Sequence, residues 1–230
     1  MKMKRLSLAV AVVVLLLAGT AQAFSVTYNY LGTMHSTNFP PPPTFVTLPL
    51  FDPSIGILDS VDFSLTATVM GNASFESLDS SPATVTTHLQ AQVTVQKPDL
   101  STLAVLLPTV SHSDAVTAFD GVIDFGGTSG KSYTGISGTD SFFDVFTSLD
   151  GALFTMFEGV GNISFPVSAI GASSGSGAGN LVLLFTTNAK ADGEVTYNYH
   201  TTSTVPLPAA LWLLGSGLIG LVGFGRKLLG

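Results

Sequence analysis

The sequence predicts an all-β protein. Its body is expected to be an antiparallel β-sandwich or jelly roll, with an N-terminal signal helix before it and a single C-terminal transmembrane helix after it. Three observations support this: apolar and polar residues alternate through the middle of the chain, Gly, Pro, Asn and Asp punctuate that alternation, and uncharged apolar runs lie at the two ends. The 230 residues therefore divide into a signal peptide (1–23), a β-sandwich domain (24–204) and a terminal segment (205–230).

The first segment has the order of a secretory signal peptide. Basic residues lie within 1–5, an uncharged apolar run follows over 6–18, and the small residues Ala21 and Ala23 frame a cleavage site. The alternative is a retained membrane helix, but the run is shorter than the roughly 20 residues that a span requires. We therefore expect signal peptidase to cut after Ala23.

The charge of the body excludes one class of function. Between residues 24 and 204 only three basic residues stand against all 15 acidic residues, which gives a formal charge of −12. Nucleic-acid binding requires a basic surface that neutralises phosphates, so no nucleic-acid partner is expected. The chain contains no cysteine, which excludes disulfides, thiolate metal sites and cysteine nucleophiles.

The alternation is clearest over residues 84–95, TVTTHLQAQVTV. One predicted face consists of Val85, Thr87, Leu89, Ala91, Val93 and Val95. Period-two alternation of this length predicts a strand with one buried face. Further strands are predicted over 61–70, 103–107, 115–119, 152–157, 162–167 and 181–187. Turns are predicted at 71–72, 98–99, 126–127, 150–151 and 171–179.

Two short segments add detail to this fold. The pentapeptide VTYNY occurs at 26–30 and again at 195–199, in the first and last strands of the body. We expect these strands to lie near each other. The segment 38–43, NFPPPP, predicts a stiff connector or edge, because proline cannot donate a hydrogen bond to a neighbouring strand.

No segment carries a complete catalytic motif, and the sequence predicts no enzyme. Residues 175–179 are glycine-rich but lack the Lys and the following helix of a phosphate-binding loop. Residues 111–114, Ser-His-Ser-Asp, are interpreted as a polar loop, since a catalytic triad needs side chains that converge from separate elements.

Two acidic pairs are the best remaining candidates for a site. Asp120 and Asp124 form one pair, and Asp140 and Asp144 form the other. Carboxylate oxygens on loops bind calcium, but aspartate is also a standard turn residue, and a glycosidase would use a carboxylate pair as well. No cofactor is predicted, with structural calcium as the open alternative.

The terminal segment predicts a membrane helix. Residues 209–225 carry no charge, and as a helix they would span about 25 Å, just short of the hydrocarbon core. Arg226 and Lys227 would then remain cytoplasmic, and Trp212 would lie near the outer interface.

The order of this segment resembles the PEP-CTERM sorting signal of Gram-negative bacteria. The resemblance rests on Val205, Pro206, Leu207 and Pro208, on the short apolar run and on the basic pair. Leu207 stands where the Pro-Glu-Pro form has Glu, as in the VPLPAA variety of the signal. The resemblance implies that an exosortase, a membrane protease similar to a cysteine transpeptidase, recognises the motif and cuts near it.

The body resembles the choice-of-anchor surface domains, the E type in particular. This resemblance rests on LPLFDPSIGILDSV (48–61), FESLDSSPATVT (75–86), AFDGVIDFGGTSG (118–130) and SGSGAGNL (174–181). The family has no established activity and therefore offers no catalytic residues.

Together these features predict an exported protein that is first held in the inner membrane and is then at the cell surface or extracellular. The expected role is structural or adhesive, in the envelope or the exopolysaccharide matrix of a biofilm. One alternative is a secreted carbohydrate-binding module that binds extracellular polysaccharide through Tyr28, Tyr30, Tyr197 and Tyr199. Another is a secreted hydrolase.

Overall fold

The computed structural model of the protein describes residues 22–201, without the side chains of Gln22 and of 39–43. Its strands are β1 (Gln22–Tyr30), β2 (His35–Ser36), β3 (Phe39–Pro49), β4 (Ile57–Ser77), β5 (Ala83–Gln96), β6 (Thr102–Leu106), β7 (Thr109–Val116), β8 (Gly130–Thr147), β9 (Asn162–Gly171), β10 (Ser174–Ser176) and β11 (Leu181–Thr201). A 3-10 turn (Ser148–Asp150) and a short helix, α1 (Ala152–Thr155), lie between β8 and β9.

The strands form two sheets whose inner faces pack together, as predicted for a sandwich. The first sheet has the order β1-β11-β4-β8, with β2 also paired to β11. In the second sheet β5 pairs with β6, β7, β9 and β10, and β3 pairs with β9. The strand pairs with a recorded register are antiparallel.

The core forms where the alternating residues of both sheets meet. All six residues assigned to the inner face of 84–95 are buried, so that prediction is confirmed. Aromatic rings fill the centre: Phe63 of β4 lies 5.5 Å from Phe157 and 5.2 Å from Phe165, measured between ring centroids. A smaller cluster, formed by Phe75, Val85 and Val116, lies apart from this core.

The two VTYNY segments pair, as expected. The hydroxyls of Thr27 and Thr196 lie 2.7 Å apart, and the rings of Phe24 and Tyr199 stack at 5.6 Å. Phe24 contacts Tyr199 and the later residue Thr27 contacts the earlier residue Thr196, so the two strands run antiparallel. The body therefore begins and ends on neighbouring strands.

Several local predictions are wrong. Residues 152–157 begin a helix instead of a strand, and residues 71–72 form a bulge inside β4 instead of a turn. Residues 115–119 overlap only the end of β7, and residues 111–114 lie within that strand instead of a loop. The sequence analysis also missed β8, an 18-residue strand.

The predictions for the ends fall mostly outside the described residues. These are residues 1–21 with Ala21, the motif Val205–Pro208, and the helix 209–225 with Trp212, Arg226 and Lys227. Ala23 is exposed and lies in β1. Between residues 22 and 201, no helix has the length and apolar character needed to cross a bilayer.

Candidate functional site

A group of polar side chains lies where β7 of one sheet approaches β8 of the other. His112 and Asp114 come from β7, and Lys131 and Tyr133 come from β8. We call these four residues the inter-sheet polar cluster. Each strand contributes residues two apart, because alternate side chains of a strand point to the same face.

Asp114 is the centre of the cluster. Its Oδ1 accepts a hydrogen bond from Lys131 Nζ at 2.5 Å, and its Oδ2 accepts one from the Tyr133 hydroxyl. The His112 ring stacks on the Tyr133 ring with 4.0 Å between centroids, and Lys131 Nζ lies 5.1 Å from the centre of the same ring. The cluster therefore joins the two sheets by an ion pair, a neutral hydrogen bond and a ring stack.

The ionisation of the cluster follows from this geometry. Burial alone would raise the pKa of Asp114, but the hydrogen bonds from Lys131 and Tyr133 and the charge of Lys131 together hold it below its ordinary value. The hydrogen bond to Asp114 raises the pKa of Lys131. Burial, followed by the hydrogen bond to Asp114, raises the pKa of the Tyr133 hydroxyl. The favoured state is therefore an aspartate, a protonated lysine and a neutral tyrosine.

One residue of the cluster and its neighbour on β5 each carry a buried polar atom without a hydrogen-bond partner among the described residues. These atoms are His112 Nδ1 and Thr87 Oγ1, on residues directly opposite each other in the β5–β7 pair. Buried polar atoms of this kind are typically satisfied by internal water. Thr87 thus places a further buried polar side chain opposite His112 on the neighbouring strand β5.

The cluster has the chemistry of a structural clasp. Ser111 and Ser113 lie on the opposite face of β7 from His112 and Asp114, because the strand alternates. A nucleophilic hydroxyl and its base must lie within hydrogen-bond reach, and within 111–114 neither serine can pair with His112 from the opposite face. The hydroxyl of Ser111 instead lies 2.6 Å from His88 Nδ1 on the exposed face.

A second buried polar contact anchors the loop that connects β7 to β8. Glu76 and Ser129 are both fully buried, and the Ser129 hydroxyl donates to Glu76 Oε1 at 2.5 Å. The other carboxyl oxygen, Oε2, has no partner among the described residues. The sequence analysis did not single out Glu76; its position between Phe75 and Ser77 in an apolar strand was the available signal.

The predicted acidic pairs lie in two different settings. Asp120 and Asp124 lie in the loop of residues 117–129, where Asp120 accepts hydrogen bonds from the backbone N–H groups of Val122 and Thr128, at 3.1 and 3.3 Å. These bonds lower the pKa of Asp120. Gly126 N–H donates to Asp124 at 2.9 Å. Both carboxylates thus shape the loop itself.

The other pair lies along β8. Asp140 accepts a hydrogen bond from the Leu107 N–H at 2.7 Å, and Asp144 accepts one from the Val145 N–H at 2.9 Å. Residues four apart on an extended strand are separated by about 13 Å, so these two carboxylates would need separate ions. Within residues 22–201 no three His, Asp or Glu side chains come together as a metal site. Structural calcium remains a prediction.

An open cavity of about 560 Å³ lies beside the cluster. It is lined by the end of β7, by glycines of the connecting loop and by Lys131, with Asp114 at its margin. Phe125 is its one aromatic lining residue. Its two charged lining residues, Asp114 and Lys131, are hydrogen-bonded to each other.

The four tyrosines considered for polysaccharide binding pack into or against the core. Tyr197 is fully buried and donates its hydroxyl hydrogen bond to the Pro49 carbonyl at 2.7 Å. Tyr28, Tyr30 and Tyr199 are partly buried against the same core. They therefore do not form the exposed aromatic platform that this alternative requires.

The pKa of Asp114 leads to a prediction for acid stability. The unfolded carboxyl binds a proton more readily than the folded one, so stability falls as pH drops below the ordinary value of 3.8. Lys131 and Tyr133, with raised pKa values, contribute stability that is lost as pH rises above about 10.

We expect Asp114→Asn to be less stable than the wild type by about 2 kcal/mol near neutral pH, since hydrogen bonds to a charged group are lost. The difference should stay constant from about pH 5 to 9 and narrow at both ends. Urea unfolding at pH 2.5, at several values between pH 5 and 9, and above pH 10 measures it. A difference that does not change between pH 7 and 2.5 would contradict the assignment.

Comparisons with known proteins give no family. No family model matches the sequence, and no curated protein matches it. Solved structures of infectious bursal disease virus are similar at a low level: the Gt strain structure has 12% identity and a TM-score of 0.21 over 80% of this chain and 43% of the other. The VP2 subviral particle has 10% identity and a TM-score of 0.20, over 80% and 38%. This chain thus spans less than half the length of those chains, and TM-scores of this size carry no argument about function.

Proposed function

We propose that the protein is an exported bacterial surface or extracellular-matrix protein with a structural or adhesive role. Residues 1–23 are removed by signal peptidase, residues 209–225 hold the chain in the inner membrane, and an exosortase cuts near the motif at 205–208. The body is then released or transferred at the cell surface.

One observation carries this proposal: the order of Val205-Pro206-Leu207-Pro208, a short uncharged run and Arg226-Lys227. A run of 17 residues barely spans the hydrocarbon core. A run of this length preceded by two prolines suits a temporary hold better than a permanent anchor.

The body supports a role outside the cell. It has no cysteine and a strongly acidic charge, which favours solubility. In its inter-sheet polar cluster, Lys131 and Tyr133 both donate hydrogen bonds to Asp114, which suits a clasp between the sheets, and the buried aromatic rings belong to the core. A structural function needs only a stable domain and an exposed surface, and the sandwich supplies both.

The experiment is mass spectrometry of the mature protein from a host with an exosortase. We expect the wild type to lack residues 1–23 and the end that contains Arg226 and Lys227. Pro206→Ala with Pro208→Ala should retain that end, because the recognition motif is lost. Pro98→Ala is the matched control, since Pro98 lies exposed in a turn of the body and should leave processing unchanged.

Leu207→Glu, which creates the Pro-Glu-Pro form, should be processed at least as completely as the wild type. An intact C-terminus on the wild-type protein in that host would overturn the sorting proposal. If the double proline variant were processed as completely as the wild type, the enzyme would not recognise this motif.

A further inference from the structure

Among the residues that the structure describes, no strand lies against the outer edge of β1. Within residues 22–201, β1 is the last strand of the first sheet and pairs only with β11. Residues 24–30, FSVTYNY, contain no charge, no proline and no glycine. Edge strands are usually blocked by charges, prolines or bulges, because unpaired N–H and C=O groups otherwise pair with another chain.

Two other edge strands of the described body, β3 and β8, are protected in different ways. The edge strand β3 contains Pro40 to Pro43, which have no N–H to donate, and its pairing with β9 is interrupted between Phe39 and Thr44. The edge strand β8 lies against the β6–β7 hairpin near its middle, where Asp140 accepts a hydrogen bond from the Leu107 N–H and Gly138 approaches the Thr109 backbone.

The repeated pentapeptide shows what β1 lacks. In β11, with a strand on each side, Val195 and Tyr197 are 0% exposed. In β1, the equivalent Val26 and Tyr28 remain partly exposed on the same core. The two segments have the same sequence and lie in the same sheet, so the difference in burial comes from the missing neighbour.

The same repeat shows what fits against this edge. One VTYNY strand already pairs antiparallel with the other in this fold, with the hydroxyls of Thr27 and Thr196 in contact. A second copy of the chain offers the same sequence on its own β1. The body is strongly acidic, so two copies repel across most of their surfaces, whereas β1 carries no charge.

We propose that β1 pairs antiparallel with β1 of a second copy, so that the first sheets of two molecules become one continuous sheet. Pairing through the same edge of each copy gives a closed two-fold dimer, since the interface uses the same patch on both molecules. The dimer supplies the missing neighbour of Val26 and Tyr28. This inference goes beyond the proposed sorting and does not depend on it.

The first test measures the oligomeric state of the full chain in detergent by sedimentation velocity over a range of concentrations. Ser25→Lys with Asn29→Lys puts like charges across the two-fold edge and should raise the dimer Kd at least about tenfold. Ser137→Lys with Thr139→Lys is the matched control, because both residues are exposed on β8, at the opposite end of the sheet order. It adds the same charge and should leave the Kd unchanged.

The second test uses the absence of cysteine from the chain. Single cysteines at Ser25, Thr27 and Asn29 are oxidised in turn, with Thr139→Cys as the control. A two-fold strand pair brings one position opposite itself, with Cβ atoms about 4.5–5.5 Å apart. A disulfide needs about 3.5–4.5 Å, which a small local shift provides. One β1 position should therefore crosslink far more than its neighbours and the control.

Both tests can overturn the proposal. A wild-type chain that is monomeric at every concentration, or a dimer that the β1 lysines leave intact, refutes it. Circular dichroism of each lysine variant identifies loss of folding. If the β1 lysine variant does not fold, the cysteine scan decides: equal crosslinking at all four positions refutes the pairing. All variants share the same terminal segment, so association through that segment cannot imitate the expected pattern.

Discussion

Replacing Phe63 by alanine is expected to lower the free energy of unfolding by about 3–5 kcal/mol. Phe63 is fully buried, and its ring lies within 6.4 Å of the rings of Phe146, Phe157 and Phe165. These rings come from three other parts of the chain, so the loss of Phe63 removes contacts that hold both sheets together. Aromatic pairs of this kind also contribute beyond the area they bury.

The matched control is Phe143→Ala. Phe143 lies on β8 opposite Ser64, next to Phe63 along β4, but its side chain is 65% exposed. We expect a change within about 0.5 kcal/mol, as for most surface substitutions. Urea unfolding followed by far-ultraviolet circular dichroism measures both variants. Equal losses would show that the aromatic cluster is not the centre of the core.

The strands that the sequence predicted best are those with one buried face. In β5 every second residue faces the core, and the polar residues between them lie on the outer face, so the alternation is complete. The part of β4 between Val61 and Val69 follows the same rule. For such strands hydrophobic burial and strand geometry impose the same pattern, and the pattern can be interpreted without knowing the neighbours.

The missed strand β8 follows a different rule. Most of its residues are exposed or half-buried, and Gly130 to Thr147 include three glycines besides Ser, Thr and Asp. Its strand state comes from a long pairing with β4, from Ser60↔Thr147 to Glu76↔Gly130. Since the partner is distant in sequence, the local pattern could not reveal this pairing. The helix at 152–155 was mistaken for a strand for a related reason. Its four residues are too few to show a helical period.

The sequence indicates the spacing within each half of the candidate site, but not that the two halves meet. His112 and Asp114 have the two-residue spacing of one strand face, and so do Lys131 and Tyr133. Nothing local shows that these two strands face each other, because β7 and β8 belong to different sheets. Their juxtaposition follows from the way the sheets pack, which depends on the whole topology.

Replacing Gly138 by alanine is expected to lower the free energy of unfolding by roughly 3 kcal/mol, the upper end of the cost of overpacking. A Cβ at this position would lie 2.2 Å from the Thr109 carbonyl oxygen and 2.4 Å from its carbon. Both atoms belong to the backbone of β7, so no side-chain rotation can relieve the clash. Either β8 or β7 must move.

The movement should change the distances within the inter-sheet polar cluster. The strands that Gly138 allows to approach are the same strands that carry Asp114 and Lys131. If β8 shifts away from β7, that ion pair is weakened, and the Gly138→Ala variant should lose part of the acid dependence that Asp114 confers. Adding Asp114→Asn to Gly138→Ala should then cost less than Asp114→Asn alone, since coupled sites are not additive.

The matched control is Gly179→Ala. A Cβ at Gly179 would meet only the Asp79 side chain, at the ordinary contact distance of 3.6 Å. The substitution should be neutral or should stabilise the fold slightly, because alanine restricts the unfolded chain more than glycine does. Unfolding in urea at pH 7 and pH 3 measures all four variants. If Gly138→Ala were as stable as Gly179→Ala, the close contact between β7 and β8 would not hold the two sheets together, and the polar cluster could not be a clasp that depends on it.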